Sequence, residues 1–172
     1  MTFLQPDYLP DGTVDKLDLR QMKADGVNGL ILDLDNTIMK PRSGQLSAEV
    51  SKWLQKAVEL DFRLIIVTNN TNQTYLQSLT PLLQALKLPI ICCAGKPRRG
   101  KLEEALSYLK LPPSEVCVVG DRVLTDVLGG ARLSMKTAFV RPLLGEEENV
   151  IFKLLRKLEM LFLGVPEKGA QG

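Results

Sequence analysis

The sequence contains no histidine and only three cysteines. Without histidine, serine–histidine and cysteine–histidine catalysis are excluded, and so is every metal site that needs an imidazole ligand. Two of the cysteines, Cys92 and Cys93, are adjacent inside an apolar run. We therefore expect buried, reduced thiols rather than a disulfide framework.

The sequence also lacks a strong charge imbalance, a signal peptide and any apolar run as long as a membrane span. The net charge is +2, which is too small to indicate a nucleic-acid partner. With 172 residues, of which 45% are hydrophobic and 24% charged, the chain has the composition of an ordinary globular protein. We expect a single domain over residues 1–172 and a cytoplasmic location, with peripheral contact to a membrane left open.

Strands and helices are predicted to alternate after an irregular, proline-containing segment at residues 1–27. Continuous apolar strands joined by helices are typical of a parallel sheet covered on both faces, so the fold class is α/β and Rossmann-like. The five runs predicted as strands are Gly29–Leu34, Phe62–Val67, Pro89–Ala94, Val116–Gly120 and Thr137–Val140.

Two helical segments have readable boundaries. Ser47 is a predicted N-cap for a helix whose apolar stripe runs from Val50 to Val58. A second helical segment, residues 74–86, contains Pro81, which predicts a division into two short helices with Thr80 as the second cap.

Polar residues that interrupt the apolar pattern lie at or just beyond the ends of the predicted strands. In open parallel sheets, ligands bind at the carboxyl edge, so four distant segments are predicted to meet in one crevice. These residues are Asp33, Asp35, Thr68, Asn69, Lys96 and Asp121.

Several carboxylates in one crevice repel each other unless a cation lies among them. Asp126 would add a fourth acid to Asp33, Asp35 and Asp121, and an all-oxygen ligand set favours Mg²⁺. Lys96, the hydroxyl of Thr68 and backbone N–H groups at a helix start after Thr68 would bind an anion. Together they predict a site for a phosphoryl group, with one carboxylate attacking phosphorus and a second transferring protons.

Each of these residues also has a purely structural interpretation. Asp33 and Asp35 could form an Asx turn, and Asp126 could favour a helix dipole. Asn69 and Asn70 could form turns rather than contact phosphate. The basic run "KPRRGK" (residues 96–101) could be a solvated surface or could attract an anionic head group.

The segments "DLDNT", "TNN", "KP" and "GDRVLTD" resemble, in the same order, the four motifs of haloacid dehalogenase-like (HAD) phosphatases. This resemblance implies that Asp33 is the nucleophile and Asp35 the general acid/base. It implies phosphate binding by Thr68 and Lys96, with Asn69 as a further expected contact. The implied Mg²⁺ ligands are Asp33, the backbone carbonyl of Asp35, Asp121 and, directly or through the outer shell, Asp126.

Nearly the whole chain is similar to the YqeG-like subfamily, through "GLILDLDNT", "GDRVLTDVLGGARL" and "TAFVRPL". That subfamily is similar to phosphatidylglycerophosphate phosphatases of plants and mitochondria. The chain departs from the pattern in "TNQTYLQSLTPLLQALKL", where a simpler helix is expected. The short spacings between motifs leave no room for a cap domain, so a large substrate such as a lipid head group is admitted.

Three functions follow as hypotheses. The first is a Mg²⁺-dependent phosphatase for phosphatidylglycerophosphate; the second is the same chemistry on a soluble ester or a phosphoprotein. The third is a non-enzymatic phospho-receiver, which the motif order disfavours because a receiver's acceptor aspartate lies on a later strand than its acidic pair. An amphipathic helix at about residues 149–163 could bind a membrane, the sheet or a second subunit.

Overall fold

A five-stranded parallel sheet forms the centre of the computed structural model, which describes residues 4–143. The strand order is β3-β2-β1-β4-β5, so the first strand along the chain is also the central one. This confirms the predicted fold class and the number of strands. The strands are β1 (Gly29–Leu32), β2 (Arg63–Val67), β3 (Ile90–Ile91), β4 (Val116–Gly120) and β5 (Lys136–Phe139).

The third strand is much shorter than the predicted run Pro89–Ala94. Cys93 has a φ of 53°, and Gly95 follows with a φ of 62°. These left-handed residues interrupt the extended backbone, so the regular ladder ends at Ile91. Cys93 and Ala94 still donate their N–H groups to the segment that follows β2. The apolar run therefore predicted the position of β3 but not its end.

Helices cover both faces of the sheet, as predicted. On one face α1, α2, α3 and α4 pack against Leu30 and Leu32, and on the other α5 packs against Ile31. This alternation follows from the two-residue period of a strand. The helices are α1 (Leu19–Ala24), α2 (Ala48–Glu59), α3 (Gln73–Ser78), α4 (Thr80–Ala85), α5 (Gly100–Leu109) and α6 (Leu128–Ala131).

The prediction of an irregular N-terminal segment is wrong in part. Helix α1 lies inside it and begins at an N-cap, Asp18, whose carboxylate accepts the N–H groups of Arg20 and Gln21. Tyr8 pairs with the edge strand β5, accepting a hydrogen bond from Phe139 N–H at 3.0 Å. The segment thereby covers backbone groups that an edge strand would otherwise expose.

Two local predictions about helices also need correction. Ser47 caps α2 by accepting the N–H of Val50, as predicted, but Val58 is 61% exposed and does not belong to the buried stripe. Helices α3 and α4 are separated at Leu79, whereas Thr80 is already inside α4 and its side chain makes no cap. A proline in the first turn of a helix is tolerated because its missing N–H would have no partner there, so the helix starts before Pro81.

The predicted helix at residues 149–163 lies outside the described residues. Within residues 4–143, no helix is both long enough and apolar enough to cross a bilayer. The connections β1–β2 and β2–β3 contain only α2 and the pair α3 and α4, respectively, so no inserted domain stands over the carboxyl edge in these two connections.

Candidate active site

The carboxyl edge of the sheet brings the predicted residues into one crevice. Asp33 directly follows β1 and donates its N–H to Val119 of β4, and Thr68 directly follows β2 and donates to Ile91 of β3. The ladder thus extends one residue beyond each strand and fixes both side chains. The crevice has a volume of about 140 Å³ and is lined by Asp33, Asp35, Thr68, Asn69, Asn70, Lys96, Asp121, Arg122, Thr125 and Asp126.

Lys96 lies between two carboxylates. Its Nζ is 2.7 Å from Asp33 Oδ1 and 2.5 Å from Asp126 Oδ1, and the residue is only 5% exposed. A buried ammonium is costly unless it is paired and hydrogen-bonded, and here it has two ionic partners. Lys96 therefore belongs to the site and is not a solvated loop lysine.

Three carboxylates form a cluster that can hold a cation. One oxygen each from Asp33, Asp121 and Asp126 lies within 4.8 Å of the other two. Lys96 supplies one positive charge to this group, so negative charge remains in excess. Oxygen-only ligands and an excess of negative charge suit a hard divalent cation such as Mg²⁺, so the residues fit the predicted metal.

Burial also shifts the acidity of the central pair. Desolvation raises the pKa of Asp33 from its usual 3.8 to about 6, against the opposing effect of the Lys96 ammonium. For Lys96, burial lowers the pKa, but the carboxylates of Asp126 and Asp33 outweigh it and raise the pKa above its ordinary value. Lys96 therefore stays charged at neutral pH, and Asp33 changes charge near pH 6.

Asp126 is placed by an unusual local backbone. It belongs to a π-helical turn, Val123–Val127, and its Oδ2 accepts the N–H of Arg122 at 3.3 Å and the hydroxyl of Thr125 at 3.2 Å. A Cβ on Gly120 would be 2.2 Å from Asp126 Cγ. Glycine at the end of β4 therefore leaves the space that the carboxylate occupies. Asp126 is 1% exposed and is paired with Lys96. An acid that only stabilised a helix dipole would need neither this burial nor this ion pair.

The predicted helix start after Thr68 is wrong. Residues 68–72 form a loop, and α3 begins at Gln73 with Asn72 as its N-cap. The Thr68 hydroxyl accepts the N–H of Asn70 at 3.1 Å. This short side-chain turn competes with helix formation directly after Thr68, so the helix begins at Gln73, where the helical composition starts.

Asn69 holds the loop that carries Lys96. Its Oδ1 accepts the N–H of Lys96 at 2.7 Å, and its Nδ2 donates to the Lys96 carbonyl at 3.1 Å. The amide thus joins the loop after β2 to the loop after β3. Since both ends of the amide already have a partner, only the second N–H of Nδ2 remains for phosphate, and direct phosphate binding by Asn69 stays a prediction.

The side chain of Asp35 does not belong to the three-carboxylate cluster. Its Oδ2 accepts a hydrogen bond from Asn70 Nδ2 at 2.8 Å, and it lies beside Tyr75. Burial, followed by the Asp35 carboxylate, raises the pKa of the Tyr75 phenol to about 12. A metal contact through the Asp35 backbone carbonyl stays a prediction.

Sequence reasoning considered Asn70 only as a turn former or a phosphate contact, and it did not consider Thr125. Each touches a predicted site residue, Asn70 through Asp35 and Thr125 through Asp126. The repeated amides of "TNN" were a signal for Asn70, but they fit an ordinary turn equally well. For Thr125 the sequence carries no signal, because only the π-helical turn brings its hydroxyl to the neighbouring carboxylate.

Comparison with known proteins agrees with this geometry. Residues 93–145 match the model of a HAD-hydrolase-like family. The chain is 29% identical over 163 residues to "Probable phosphatase YqeG" of Bacillus subtilis, covering 93% of this chain and 92% of that protein. The chain is therefore similar to HAD-like hydrolases. The predicted resemblance to this family and to YqeG is confirmed.

Two further proteins extend the comparison. Phosphatidylglycerophosphate phosphatase 1 of Chlamydomonas reinhardtii is 30% identical over 151 residues, which are 83% of this chain but only 55% of that protein. The solved p-nitrophenyl phosphatase of Archaeoglobus fulgidus superposes with a TM-score of 0.57 at 16% identity, covering 83% of this chain and 94% of that one. The structural match shows the shared fold alone. Both sequence relatives are named as phosphatases, one of them as a probable one.

Proposed function

We propose that the chain is a Mg²⁺-dependent phosphomonoesterase that forms an aspartyl-phosphate on Asp33 and acts on phosphatidylglycerophosphate. The observation that carries the proposal is the meeting of Asp33, Lys96, Asp121 and Asp126 in one crevice. These groups come from the ends of three strands, and their juxtaposition serves no evident packing purpose. Buried charges concentrated at one sheet edge are typical of a reaction site.

The first step transfers the phosphoryl group to the enzyme. A carboxylate oxygen of Asp33 forms a bond to phosphorus while the bond between phosphorus and the ester oxygen breaks. Asp35 gives its proton to that departing oxygen, so the product leaves as a neutral alcohol. Lys96, 2.7 Å from Asp33 Oδ1, holds the attacking carboxylate and offsets the negative charge of the phosphate.

The second step releases phosphate. Asp35, now ionised, takes a proton from a water molecule whose oxygen attacks the phosphorus of the aspartyl-phosphate. The acyl phosphate bond breaks, the Asp33 carboxylate is regenerated, and Asp35 is again protonated. Both steps use the same two acids, one as the nucleophile and one as the proton carrier.

Asp33, Asp121 and Asp126 are the residues that would hold Mg²⁺, with the Asp35 carbonyl as an additional proposed ligand. When bound, the ion would neutralise charge on the phosphate, so that two anions can approach each other. The protein supports this proposal with three carboxylate oxygens within 4.8 Å of one another.

The size of the crevice favours a substrate whose bulk remains outside. Pockets that enclose a drug-sized ligand usually span about 300–1,000 Å³, whereas this crevice has about 140 Å³. It can accept a phosphoryl group, and the rest of the substrate must lie beyond its mouth. A lipid phosphate presented at a membrane surface fits this geometry, and the similarity to an algal phosphatidylglycerophosphate phosphatase gives the specific candidate.

Peripheral contact with an anionic membrane is part of the proposal, but the basic run contributes less than its sequence suggests. Arg99 is 3.4 Å from Glu103, and Lys101 is 2.7 Å from Glu104. Because these exposed pairs partly neutralise the run, its net positive charge is lower than the three cations beside Lys96 imply. Attraction of a head group by this run stays a hypothesis.

Phosphate release from phosphatidylglycerophosphate in mixed micelles tests the function directly. We expect turnover with Mg²⁺, little with a chelator, and none detectable for Asp33→Asn, which keeps the shape of the side chain but cannot attack phosphorus. A parallel panel of soluble sugar phosphates, nucleotides and phosphopeptides separates the lipid proposal from the other substrates. Normal turnover by Asp33→Asn would overturn the nucleophile, whereas activity on the soluble panel alone would overturn only the lipid substrate.

A further inference from the structure

Asp35 has two oxygens in very different surroundings. Oδ2 accepts the Asn70 amide at 2.8 Å. Oδ1 is buried and has no hydrogen-bond partner in the part of the chain that the structure describes. Buried polar atoms normally have a partner. Because Asp35 lines the crevice, Oδ1 is the carboxylate oxygen that no protein group occupies.

Asn70 cannot turn its amide around. Its Oδ1 accepts the N–H of Asn72 at 2.8 Å, and this Asx turn fixes which end of the amide is oxygen. The other end, Nδ2, must then face Asp35 as a donor. The backbone of Asn70 is held as well, through its N–H to the Thr68 hydroxyl and its carbonyl from the N–H of Cys93 at 3.2 Å.

This arrangement decides which oxygen of Asp35 can exchange a proton. While Oδ2 accepts the Asn70 N–H, a proton on the carboxyl group belongs on Oδ1, because a proton on Oδ2 would compete with that hydrogen bond. The side chain is also held in one orientation. A proton donor that is already oriented loses less entropy on reaching the transition state.

We propose that Asn70 is a positioning residue for Asp35, binding Oδ2 so that Oδ1 is the oxygen that carries the proton for the leaving group. This inference rests on the proposed role of Asp35 as the acid that protonates the departing oxygen. It assigns a task to the second asparagine of "TNN", which the three-carboxylate cluster and Lys96 do not use.

Aryl phosphates with different leaving groups test the proposal without depending on the lipid substrate. 4-Nitrophenolate is a stable anion and leaves without protonation, whereas phenolate needs an acid. Because kcat/KM reports the first phosphoryl transfer, misplacing the acid should lower kcat/KM for phenyl phosphate but hardly for 4-nitrophenyl phosphate. A merely structural role would lower both equally.

The decisive variant is Asn70→Asp. It keeps an acceptor for the Asn72 N–H, so the turn is preserved, but it replaces the donor to Asp35 by a carboxylate. General acid catalysis contributes about 10²–10⁴-fold, so partial misplacement should cost phenyl phosphate about tenfold or more in kcat/KM, with less than about a twofold loss for 4-nitrophenyl phosphate. Asn70→Ala should show the same selectivity. The matched control, Gln73→Glu, makes the same amide-to-acid change on α3. Within residues 4–143 the Gln73 side chain donates one hydrogen bond, to the Cys93 thiol at 3.8 Å, so kcat/KM for both substrates should be unchanged.

Two outcomes distinguish a failure of the proposed role of Asn70 from a failure of the proposed function. Equal losses on both substrates for Asn70→Asp and Asn70→Ala, or a change confined to KM, would overturn the role of Asn70. If Asp35→Asn itself shows no dependence on the leaving group, the acid role of Asp35 is wrong, and the proposed function fails at that step. Thermal unfolding of each variant shows whether the fold is intact.

Discussion

Within residues 4–143, the smaller of two concavities contains the buried charges, and the larger one is mostly apolar. The crevice at the carboxyl edge has about 140 Å³ and concentrates buried charges. A groove between α2 and α4 has about 560 Å³. The groove is lined by Leu54, Gln55, Val58, Glu59, Leu64, Ala85, Leu86 and Leu88.

Volume alone would direct attention to the groove, but the chemistry lies in the crevice. The groove contains one acid, Glu59, which is paired with the exposed Lys56 at 3.0 Å. Such a surface pair contributes little free energy and alters its surroundings little. Lys96, Asp33 and Asp126 are buried together instead, so each charge acts strongly on the others. What distinguishes the two concavities is therefore the burial of charge and not the amount of space.

The largest effect is expected from Lys96→Ala. Removing the ammonium leaves Asp33 and Asp126 facing each other without their shared partner. Breaking a buried ion pair on one side typically costs about 3–5 kcal/mol of the free energy of unfolding. Loss of a cation that stabilises the transferred phosphoryl group should lower kcat by about a hundredfold or more. Urea unfolding and steady-state kinetics measure the two effects.

Lys101→Ala is the matched control for that experiment. Lys101 is also paired with a carboxylate at 2.7 Å, but its side chain is 45% exposed. An exposed pair contributes little to stability because solvent screens it, so the free energy of unfolding and kcat should stay close to those of the wild type. Similar losses in the two variants would show that burial is not what gives Lys96 its importance.

The next largest effect is expected from Gly120→Ala. The added Cβ would lie 2.2 Å from Asp126 Cγ, so the carboxylate must move away from Lys96 and from the cation site. Overpacking of this kind usually costs about 1–3 kcal/mol, and we expect weaker Mg²⁺ binding in calorimetry together with a lower kcat. Gly100→Ala is the control, because an added Cβ there meets nothing within 4 Å. Its Mg²⁺ affinity and its kcat should be unchanged. Undiminished Mg²⁺ binding by Gly120→Ala would separate Asp126 from the metal site.

A smaller, pH-dependent effect is expected in the metal-free protein. Burial raises the pKa of Asp33 in the folded state to about 6, against 3.8 when unfolded. The folded state therefore holds this proton more tightly, and its stabilising contribution is full below pH 4 and is lost as the pH rises towards 6. The free energy of unfolding of the wild type should fall relative to that of Asp33→Asn over this window. Urea unfolding in a chelator at several pH values measures the difference.

The control for the pH experiment is Glu103→Gln, at an exposed side chain paired with Arg99. Its stability relative to the wild type should vary little between pH 4 and 6. Added Mg²⁺ should reduce the loss in the wild type, because a cation favours the ionised carboxylate. If the free energy of unfolding of the wild type instead rose relative to that of Asp33→Asn between pH 4 and 6, the burial of the Asp33 carboxylate would be contradicted.

The smallest effect is expected in the groove. Val58 lines it but is 61% exposed, so Val58→Ser should change the free energy of unfolding by less than about 1 kcal/mol, as surface substitutions usually do. We expect kcat/KM for phosphatidylglycerophosphate to be unchanged. A marked loss of activity with intact stability would break the comparison, because it would make the groove part of the functional surface.

Apolar runs and polar strand ends are enough to predict most of this protein. Strand β4 has the bounds that its apolar run predicts, and Asp33, Lys96 and Asp121 converge as their positions at the strand ends predict. The prediction succeeds because the side chains at parallel strand ends must meet at one edge. Boundaries are less predictable: β3 ends early because of the left-handed φ of Cys93, and α3 begins late because Thr68 and Asn70 form local turns.

The N-terminal segment shows a different limit. Its prolines indicate irregular structure, yet Asp18 caps a short helix and Tyr8 pairs with β5. Six-residue helices are too short to be stable alone, so α1 depends on burying Leu19 and Met22 against the sheet. Such tertiary stabilisation leaves only a weak trace in the sequence.

The sequence alone determined the α/β class and the placement of charged residues at the carboxyl ends of the strands. It also determined which acids and which lysine make up the site. Tertiary structure decided the remainder: that Asp126 reaches Lys96 through a π-helical turn, that Asn69 joins two loops, and that Asn70 takes one oxygen of Asp35. The reason is the distance along the chain over which each kind of information acts. Periodicity and residue type act over a few neighbours along the chain, whereas a hydrogen bond between Asp35 and Asn70 depends on how β1 and β2 align across the sheet.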